Sequence, residues 1–162
     1  MIAVAVGLVL GTLIGLIAGT QRGWVDTVLM RLVDVLLAIP GILLSLSIII
    51  VTGFGSLQAA FAVGMTSVAT FARLARSQVI QIAGADFVEA AYGSGATQAQ
   101  VLFRHVLPNS LTPVLALAAL QFGTAILQLS ILGFLGYGAP PPTPEWGLLI
   151  AEGRDFMATA WW

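Results

Sequence analysis

Three long stretches of the chain carry no charged residue, and they constrain its fold more than any other feature. They cover residues 1–21, 35–72 and 106–144. An α-helix needs about 20 consecutive apolar residues to cross the hydrocarbon core of a bilayer. Only 8% of all residues are charged, against about a quarter in an average soluble domain. The sequence therefore excludes an ordinary soluble fold and predicts an all-α, polytopic transmembrane helix bundle.

The charge-free stretches predict four membrane spans. The first stretch supplies one span. The second is long enough for two, because the glycines in Thr52–Ser56 supply a turn in its middle. In the third stretch only the first part is continuously apolar, since residues 133–144 are rich in glycine and proline. The predicted spans cover residues 2–20, 35–51, 57–72 and 111–132, within a single domain that comprises residues 1–162.

The arginines predict the orientation of these spans. Alternating the loops places residues 21–34 and 73–109 on one side of the membrane and residues 52–56 and 133–162 on the other. The first side holds Arg22, Arg31, Arg73, Arg76 and Arg104, whereas the second holds only Arg154. Because basic loops stay in the cytoplasm, we expect loops 21–34 and 73–109 to be cytoplasmic and loops 52–56 and 133–162 to be extracytoplasmic, in a multi-pass membrane protein.

Both ends of the chain predict a fragment. Met1 would lie outside the membrane without a basic flank or the pattern of a signal peptide. Trp161 and Trp162 form an aromatic pair typical of the membrane interface just before a span. We therefore expect further helices beyond both ends.

Missing residue types exclude several functions. The chain has no cysteine, which removes thiolate catalysis and cysteine metal sites. It has no lysine, so it lacks the P-loop of ATPases. The net charge of -1 argues against nucleic-acid binding. We expect no catalytic residue, metal site or cofactor in this chain.

Four glycines follow one another at every fourth position of the first span. Gly7, Gly11, Gly15 and Gly19 would form a smooth groove on one helix face, which another backbone can approach closely. Packing within the chain and dimerisation with a second subunit both use such a groove, and we favour packing within the chain.

In the next segment, apolar residues at helical spacing predict an amphipathic helix that leads into the second span, where Pro40 introduces a packing kink.

The loop of residues 73–109 contains two predicted helix starts. Asp86 with Glu89, and Thr97 with Gln100, fit capping boxes. The segment Gly93–Ala96 can stop the first helix and turn the chain, and Pro108 is expected to end the second helix. A DNA-binding helix-turn-helix is disfavoured, because Arg104 is the only basic residue of this pair. The loop therefore predicts a docking element for another protein.

Residues in this loop resemble the EAA loop of permeases from importer-type ABC transporters. Glu89-Ala90-Ala91 is followed after three residues by Gly95, and then by Leu107-Pro108 at the spacing of that family, with His105 in place of the usual isoleucine. Gly23–Asp26, Phe134–Gly138 and Pro141–Gly147 are similar to the C-type permease of the dipeptide, oligopeptide and nickel branch. Tyr92, Gly93 and Ser94 depart from the pattern, which predicts a looser end for the first helix.

The resemblance implies a MetI-like permease core in an importer of peptides or nickel, located in a bacterial inner membrane. The implied partners are a second permease subunit, two cytoplasmic ATP-binding subunits, an extracytoplasmic substrate-binding protein and the lipid bilayer. Glu89 would cap the coupling helix, Ala90 and Ala91 would pack closely, and Gly95 would form the turn. The implied coupling residues are Asp86, Glu89, Ala90, Ala91, Gly95, Thr97, Arg104, His105, Leu107 and Pro108.

The loop of residues 133–162 is the second candidate site. Pro140–Pro144 is expected to form a stiff polyproline II segment. The resemblance places contacts with the binding protein at Pro142, Glu145, Trp146, Arg154 and Asp155. An interfacial re-entrant helix with a structural arginine–aspartate cluster is the alternative.

Two other functions remain open from the residues alone. An ion-coupled carrier or channel fragment is disfavoured, because no predicted span contains an ionisable residue. A non-functional truncated permease is the other alternative.

Overall fold

The computed structural model describes residues 1–21, 23–157 and 159, and every secondary-structure element in them is helical. This confirms the predicted all-α class. Arg22, Trp161 and Trp162, which entered the predictions of orientation and of a fragment, lie outside the described residues. The elements are α1 (Ile2–Gln21), α2 (Trp24–Ala38), α3 (Gly41–Thr52), α4 (Ser56–Ala83), α5 (Asp86–Gly93), α6 (Gln98–Val101), the π-helical segment Leu102–Val106, α7 (Leu107–Phe134) and α8 (Trp146–Arg154).

Helices α1 and α4 pack along their length and form the centre of the molecule. The glycine groove of α1 makes this contact, with its four glycines turned toward α4. A Cβ atom added to Gly11 would lie 2.5 Å from the carbonyl oxygen of Val68, and one added to Gly15 would lie 2.5 Å from that of Ala72. Because backbone faces backbone at these positions, no larger residue fits. The groove thus packs within the chain.

Three helical stretches are long and apolar enough to cross a membrane in the described part of the chain: Ile2–Gln21, Ser56–Ala83 and Gln98–Phe134. They contain the predicted spans 2–20, 57–72 and 111–132. The predicted span 35–51 is wrong as a single helix, because α2 and α3 meet there at 96°. Pro40 disfavours a helical conformation of the residue before it, and Ile39 is extended, with φ −88° and ψ 127°. The proline breaks the helix instead of bending it.

Two ion pairs tie α2 to α4. Arg73 Nη2 lies 2.5 Å from the Oδ1 atom of Asp34, and Arg76 pairs with Asp26, with 2.6 Å between Nη2 and Oδ2. Both arginines belong to α4, which continues well past the predicted boundary at residue 72. The segment assigned by sequence to a loop therefore begins as a rigid helix.

Pro108 does not end a helix, contrary to the prediction. Helix α6, the π-helical segment and α7 follow one another as a continuous helical stretch from Gln98 to Phe134. The amide of Leu107 donates to the carbonyl of Leu102, five residues earlier, so the turn just before the proline is widened. A widened turn accommodates a residue that has no amide hydrogen and whose ring crowds the preceding turn. The side chain of Ser110 donates to the Val106 carbonyl at 2.7 Å.

After α7 the chain turns back, and α8 packs against α7. An added Cβ at Gly147 would lie 2.5 Å from the amide nitrogen of Phe134, so the glycine permits close contact between the two helices. The predicted polyproline II segment is wrong, because residues 140–143 form a turn. The amide of Thr143 donates to the carbonyl of Pro140 at 3.3 Å, which closes a turn.

Candidate docking site between helices α4 and α7

The segment from α5 to the π-helical segment is held on the ends of α1 and α4 by a small apolar core. Val79 of α4, Val88 of α5, Val101 of α6 and Val106 of the π-helical segment are all buried and in contact. We call these four residues the valine cluster. Leu16, Ile82, Ala91, Ala96 and Leu102 pack around it. Because each element contributes a buried residue, the segment forms one packed corner rather than a loose loop.

The start of α5 differs from the predicted capping box. Ala85 occupies the N-cap position, Asp86 is the first helical residue, and no side chain of the described residues caps this helix end. The cause is the end of α4 at Ala83, which leaves only Gly84 and Ala85 before α5. The amide of Ala85 donates to the Ile82 carbonyl at 3.0 Å. The predicted capping role of Glu89 is therefore wrong. Asp86 and Glu89 instead place two exposed carboxylates in the first turn. Their negative charges interact favourably with the positive end of the helix dipole.

The end of α5 is a glycine-dependent Schellman motif. Gly95 has φ 86°, a conformation that glycine adopts without a steric cost. Its amide donates to the Tyr92 carbonyl at 2.9 Å, and the amide of Ala96 donates to the Ala91 carbonyl at 3.1 Å. These bonds satisfy the last carbonyls of α5 and reverse the chain into α6.

The capping box at Thr97 is present as predicted. The amide of Gln100 donates to Thr97 Oγ1 at 3.4 Å, and the amide of Thr97 donates to Gln100 Oε1 at 2.9 Å. The box gives a helix of only four residues a defined start. It therefore caps the N-terminus of the continuous helical stretch from Gln98 to Phe134.

Helix α5 presents a polar and small outer face. Asp86, Glu89, Ala90 and Gly93 are exposed and lie three or four positions apart, whereas Val88 is buried and Ala91 is half-buried. We call these four exposed residues the outer face of α5. Residues with this spacing share one side of a helix, so α5 offers two carboxylates beside two small residues. No bulky side chain interrupts this face, and a partner could approach its backbone.

Exposed aromatic residues that no sequence motif predicted flank this outer face. Phe87 is 48% exposed, Tyr92 47% and Phe103 66%. The rings of Phe87 and His105 have centroids 6.5 Å apart. Tyr92 and Phe103 line a cavity of about 520 Å³ together with Gly19 and Val79. Their occurrence in a loop otherwise rich in small residues is the signal that could have identified them.

The structure distributes the remaining predicted coupling residues around this corner. Arg104 is exposed and His105 is half-buried beside Phe87, both in the π-helical segment. Leu107 is half-buried and Pro108 is exposed at the start of α7. The predicted set therefore comprises exposed charged residues, such as Glu89 and Arg104, and residues that shape the corner, such as Ala91 in its core and the exposed Gly95 and Thr97 in its turn.

The outer loop brings together only part of its predicted set. Glu145, which is half-buried, and Trp146, which is 74% exposed, border a cavity of about 320 Å³ between α4 and α7. Pro142 is exposed in the turn that precedes them. Arg154 and Asp155 lie at the opposite end of α8, with 3.6 Å between Nε and Oδ1. In residues 1–21, 23–157 and 159, no cluster of histidine, aspartate and glutamate could hold a metal ion.

Comparison with known proteins gives a consistent set of matches. Residues 11–161 match a family described as the inner membrane component of binding-protein-dependent transport systems. The chain is 42% identical over 160 residues to a dipeptide transport system permease protein, DppC, of Alkalihalophilus pseudofirmus, covering 99% of this chain and 53% of that protein. It is 39% identical over 158 residues to the glutathione transport system permease protein GsiD of Pectobacterium atrosepticum, covering 98% and 52%.

A third relative is a di/tripeptide transport system permease protein, DppC, of Pseudomonas aeruginosa. The identity is 39% over 160 residues, covering 99% of this chain and 53% of that protein. The chain spans about half the length of the curated relatives it matches.

Proposed function

Because this chain belongs to the family of inner membrane components of binding-protein-dependent transport systems, we propose that it forms part of the membrane permease of an importer driven by separate ATPase subunits. The family is a transport component of the inner membrane and not a catalytic subunit, as the absence of a P-loop predicted. The resemblance in the EAA loop and in the proline-rich segment predicted this family, and the comparisons confirm it.

The observation that carries the proposal is the rigid path from α5 into the membrane helices. The valine cluster fixes α5 to α4, and the continuous helix from Gln98 to Phe134 joins the corner to α7. A force applied to the corner would move whole helices, since packed elements shift as rigid bodies. A mechanical connection between a cytoplasmic motor and a membrane pathway requires this property.

We propose the outer face of α5 as the surface that enters the ATPase subunit. Glu89 is exposed there, so its carboxylate is available for a basic group of the partner. Ala90 and Gly93 leave room for close approach of the partner's backbone. Phe87 and Phe103 supply exposed apolar area beside this face, and Arg104 and His105 supply polar contacts at its edge.

We propose small peptides as the transported class. The relatives are named for dipeptide, di/tripeptide and glutathione transport, and these compounds are all short peptides or peptide-like. Nickel is the other substrate class of the branch that this sequence resembles, and its transport stays a prediction. The complete importer would contain a second permease subunit, two ATPases and an extracytoplasmic binding protein, which would contact the loop around Pro142, Glu145 and Trp146.

Site-directed cross-linking tests this function, and the chain offers a clean background because it has no cysteine. We would place single cysteines at Ser94, in the Schellman turn, and at Ser56, at the start of α4, in cells that produce the complete importer. S94C should cross-link to the ATPase subunit, and S56C should not. An impermeant thiol reagent should label S56C on intact cells but S94C only after permeabilisation.

The opposite labelling pattern would overturn the proposed orientation. Absence of a cross-link from S94C and also from cysteines at Ala90 and Gln98 would overturn the docking role of the corner. Membership of the family would stand in either case.

A further inference from the structure

Helix α3 begins inside the bilayer rather than at its surface. An added Cβ atom on Gly41, the first residue of α3, would lie 3.9 Å from the Cβ atom of Thr66 in α4. Thr66 precedes Arg73, the first charged residue of α4, by seven residues, which is about 10 Å along a helix that rises roughly 1.5 Å per residue. Because the charge-free part of α4 occupies the hydrocarbon core, the break between α2 and α3 lies well inside that core.

The break exposes backbone polar groups at this depth. Pro40 precedes α3 without a side-chain cap, so the first amides of α3 have no acceptor within their own helix. Ile39 is 39% exposed, and Pro40 and Ile42 are exposed as well, so the described part of the chain does not bury the break. Irregular backbone occurs within a bilayer only where protein covers it or where it borders a water-filled space. The break therefore does not face lipid.

Helix α7 carries two glutamines on the side that meets the break. Nε2 of Gln128 lies 3.7 Å from the position of a Cβ atom added to Gly41. Gln121 precedes Gln128 by seven residues, which places it on the same side of α7 and about 10 Å closer to the corner. The side-chain hydrogen bonds described for α7 run from hydroxyl groups or from Asn109 to a carbonyl four residues earlier, and neither glutamine takes part in one. Both glutamines are half-buried, and an amide without a partner is strongly disfavoured in hydrocarbon.

Helix α4 contributes hydroxyl groups between α2 and α7. Ala69 packs with α2, and Leu74 packs in a cluster that includes residues of α7. Thr70 lies between these two contacts, one turn from Thr66, and both threonines are half-buried. Because α2 leaves α3 at 96° and packs against α1 and α4, this side of α4 stays partly open between the break and the corner. We call the uncharged residues along it the polar groove: Thr66, Thr70, Gln121 and Gln128.

We infer, on the basis of the proposed function, that the polar groove is a water-filled section of the substrate pathway. In it, the side chains of Gln121 and Gln128 hydrogen-bond to the backbone amides of the transported peptide. An amide side chain both donates and accepts hydrogen bonds, as each peptide unit of the substrate does. Since all four residues of the groove are uncharged, they bind the peptide backbone without selecting the charge of its side chains.

Thiol accessibility tests whether the groove contains water. The variants Q121C and Q128C, in the complete importer reconstituted in nanodiscs, would be treated with a positively charged methanethiosulfonate in the presence and absence of ATP. Leu120 and Leu127 provide matched controls, because each directly precedes one glutamine and is 72% or 66% exposed. We expect Q121C and Q128C to react several-fold faster than L120C and L127C in at least one of the two states. Alanyl-alanine delivered by the binding protein should slow their reaction.

Two outcomes would overturn the inference. Equal reaction rates at the glutamine and leucine positions would show that water does not distinguish the groove from the rest of α7. No reaction of Q121C and Q128C in either state, while S94C reacts, would show that another subunit fills the groove. Dipeptide uptake and the cross-link from S94C to the ATPase report on the proposed function separately, so they can succeed where the groove fails.

A charge placed at position 128 tests the contact with the peptide. Gln128→Glu keeps the size of the side chain and adds a negative charge, and Gln128→Leu is the uncharged control. Uptake of lysyl-alanine and of aspartyl-alanine by each variant would be divided by uptake of the same dipeptide by the unmodified importer, which removes the preference of the binding protein. Gln128→Glu should reduce uptake of aspartyl-alanine several-fold more than uptake of lysyl-alanine, whereas Gln128→Leu should reduce both alike. Equal reductions of both dipeptides in Gln128→Glu would overturn the contact between Gln128 and the substrate.

Discussion

The carboxylate of Asp26 accepts hydrogen bonds from two nitrogens of the Arg76 guanidinium, 50 positions later in the chain. The pair joins α2 to α4 in a partly buried setting, with side chains that are 16% and 33% exposed. The neighbouring pair of Asp34 and Arg73 is more open, with side chains 52% and 58% exposed. The two pairs have similar chemistry and join the same two helices, so they form a natural comparison.

We expect Asp26→Asn to reduce the free energy of unfolding more than Asp34→Asn. Loss of a bidentate, partly buried pair should cost about 1–2 kcal/mol, whereas an exposed pair contributes about 0–1 kcal/mol. Thermal unfolding of the purified chain in detergent measures both. Equal effects of the two substitutions would show that burial of the Asp26 pair adds nothing to its contribution.

The glycine groove gives a second prediction about stability. Gly15→Ala should destabilise the chain by about 1–3 kcal/mol, because a Cβ there would lie 2.5 Å from the Ala72 carbonyl oxygen and would push α1 away from α4. Gly123→Ala is the matched control, since no atom lies within 4 Å of a Cβ added at that position of α7. The control should be neutral or slightly stabilising, because alanine favours a helix over glycine. The midpoint of unfolding in detergent distinguishes the two variants, and a stable Gly15→Ala chain would contradict the close packing.

The features that the sequence predicted correctly depend on local patterns. Three of the four charge-free runs predicted as spans, residues 2–20, 57–72 and 111–132, lie in helices long and apolar enough to cross a membrane, and glycines at every fourth position specify a close helix contact. The capping box of Thr97 and Gln100 likewise involves only four consecutive residues. These features follow from spacing alone.

The features that the sequence missed depend on what precedes or faces them. Asp86 fails as an N-cap because α4 ends only at Ala83, which leaves Ala85 in that position. Pro108 fails to end a helix because the preceding turn widens to accommodate it. The Asp26–Arg76 pair depends on how α2 crosses α4, which no local pattern reports. Short sequence motifs therefore located the candidate site, but they assigned Glu89 a capping role that it does not have.

The turn between α5 and α6 provides a third prediction. Gly95→Ala should destabilise the corner by about 1 kcal/mol or more, because φ is 86° there. Gly93→Ala, two residues earlier, should be neutral or stabilising, since Gly93 is the last helical residue and has open space around it. Amide hydrogen exchange of residues 86–101 would locate the effect. Faster exchange in both variants, or in neither, would contradict the requirement for glycine at position 95 alone.

The exposed carboxylate of Glu89 provides the last prediction, which concerns coupling. Since Glu89 makes no cap hydrogen bond in α5, Glu89→Lys should leave the fold intact while reversing the charge on the proposed docking surface. In the reconstituted importer we expect substrate-stimulated ATP hydrolysis and uptake to fall about tenfold or more, equivalent to roughly 1.4 kcal/mol of lost coupling. Glu152→Lys makes the same charge change in α8 and should have little effect on hydrolysis. A lysine in the first turn of α5 opposes the helix dipole at a cost of about 0.3–1 kcal/mol. A loss of unfolding free energy no larger than this would establish that the lost activity arises at the docking surface. Full activity of Glu89→Lys would exclude a contact between this carboxylate and the ATPase.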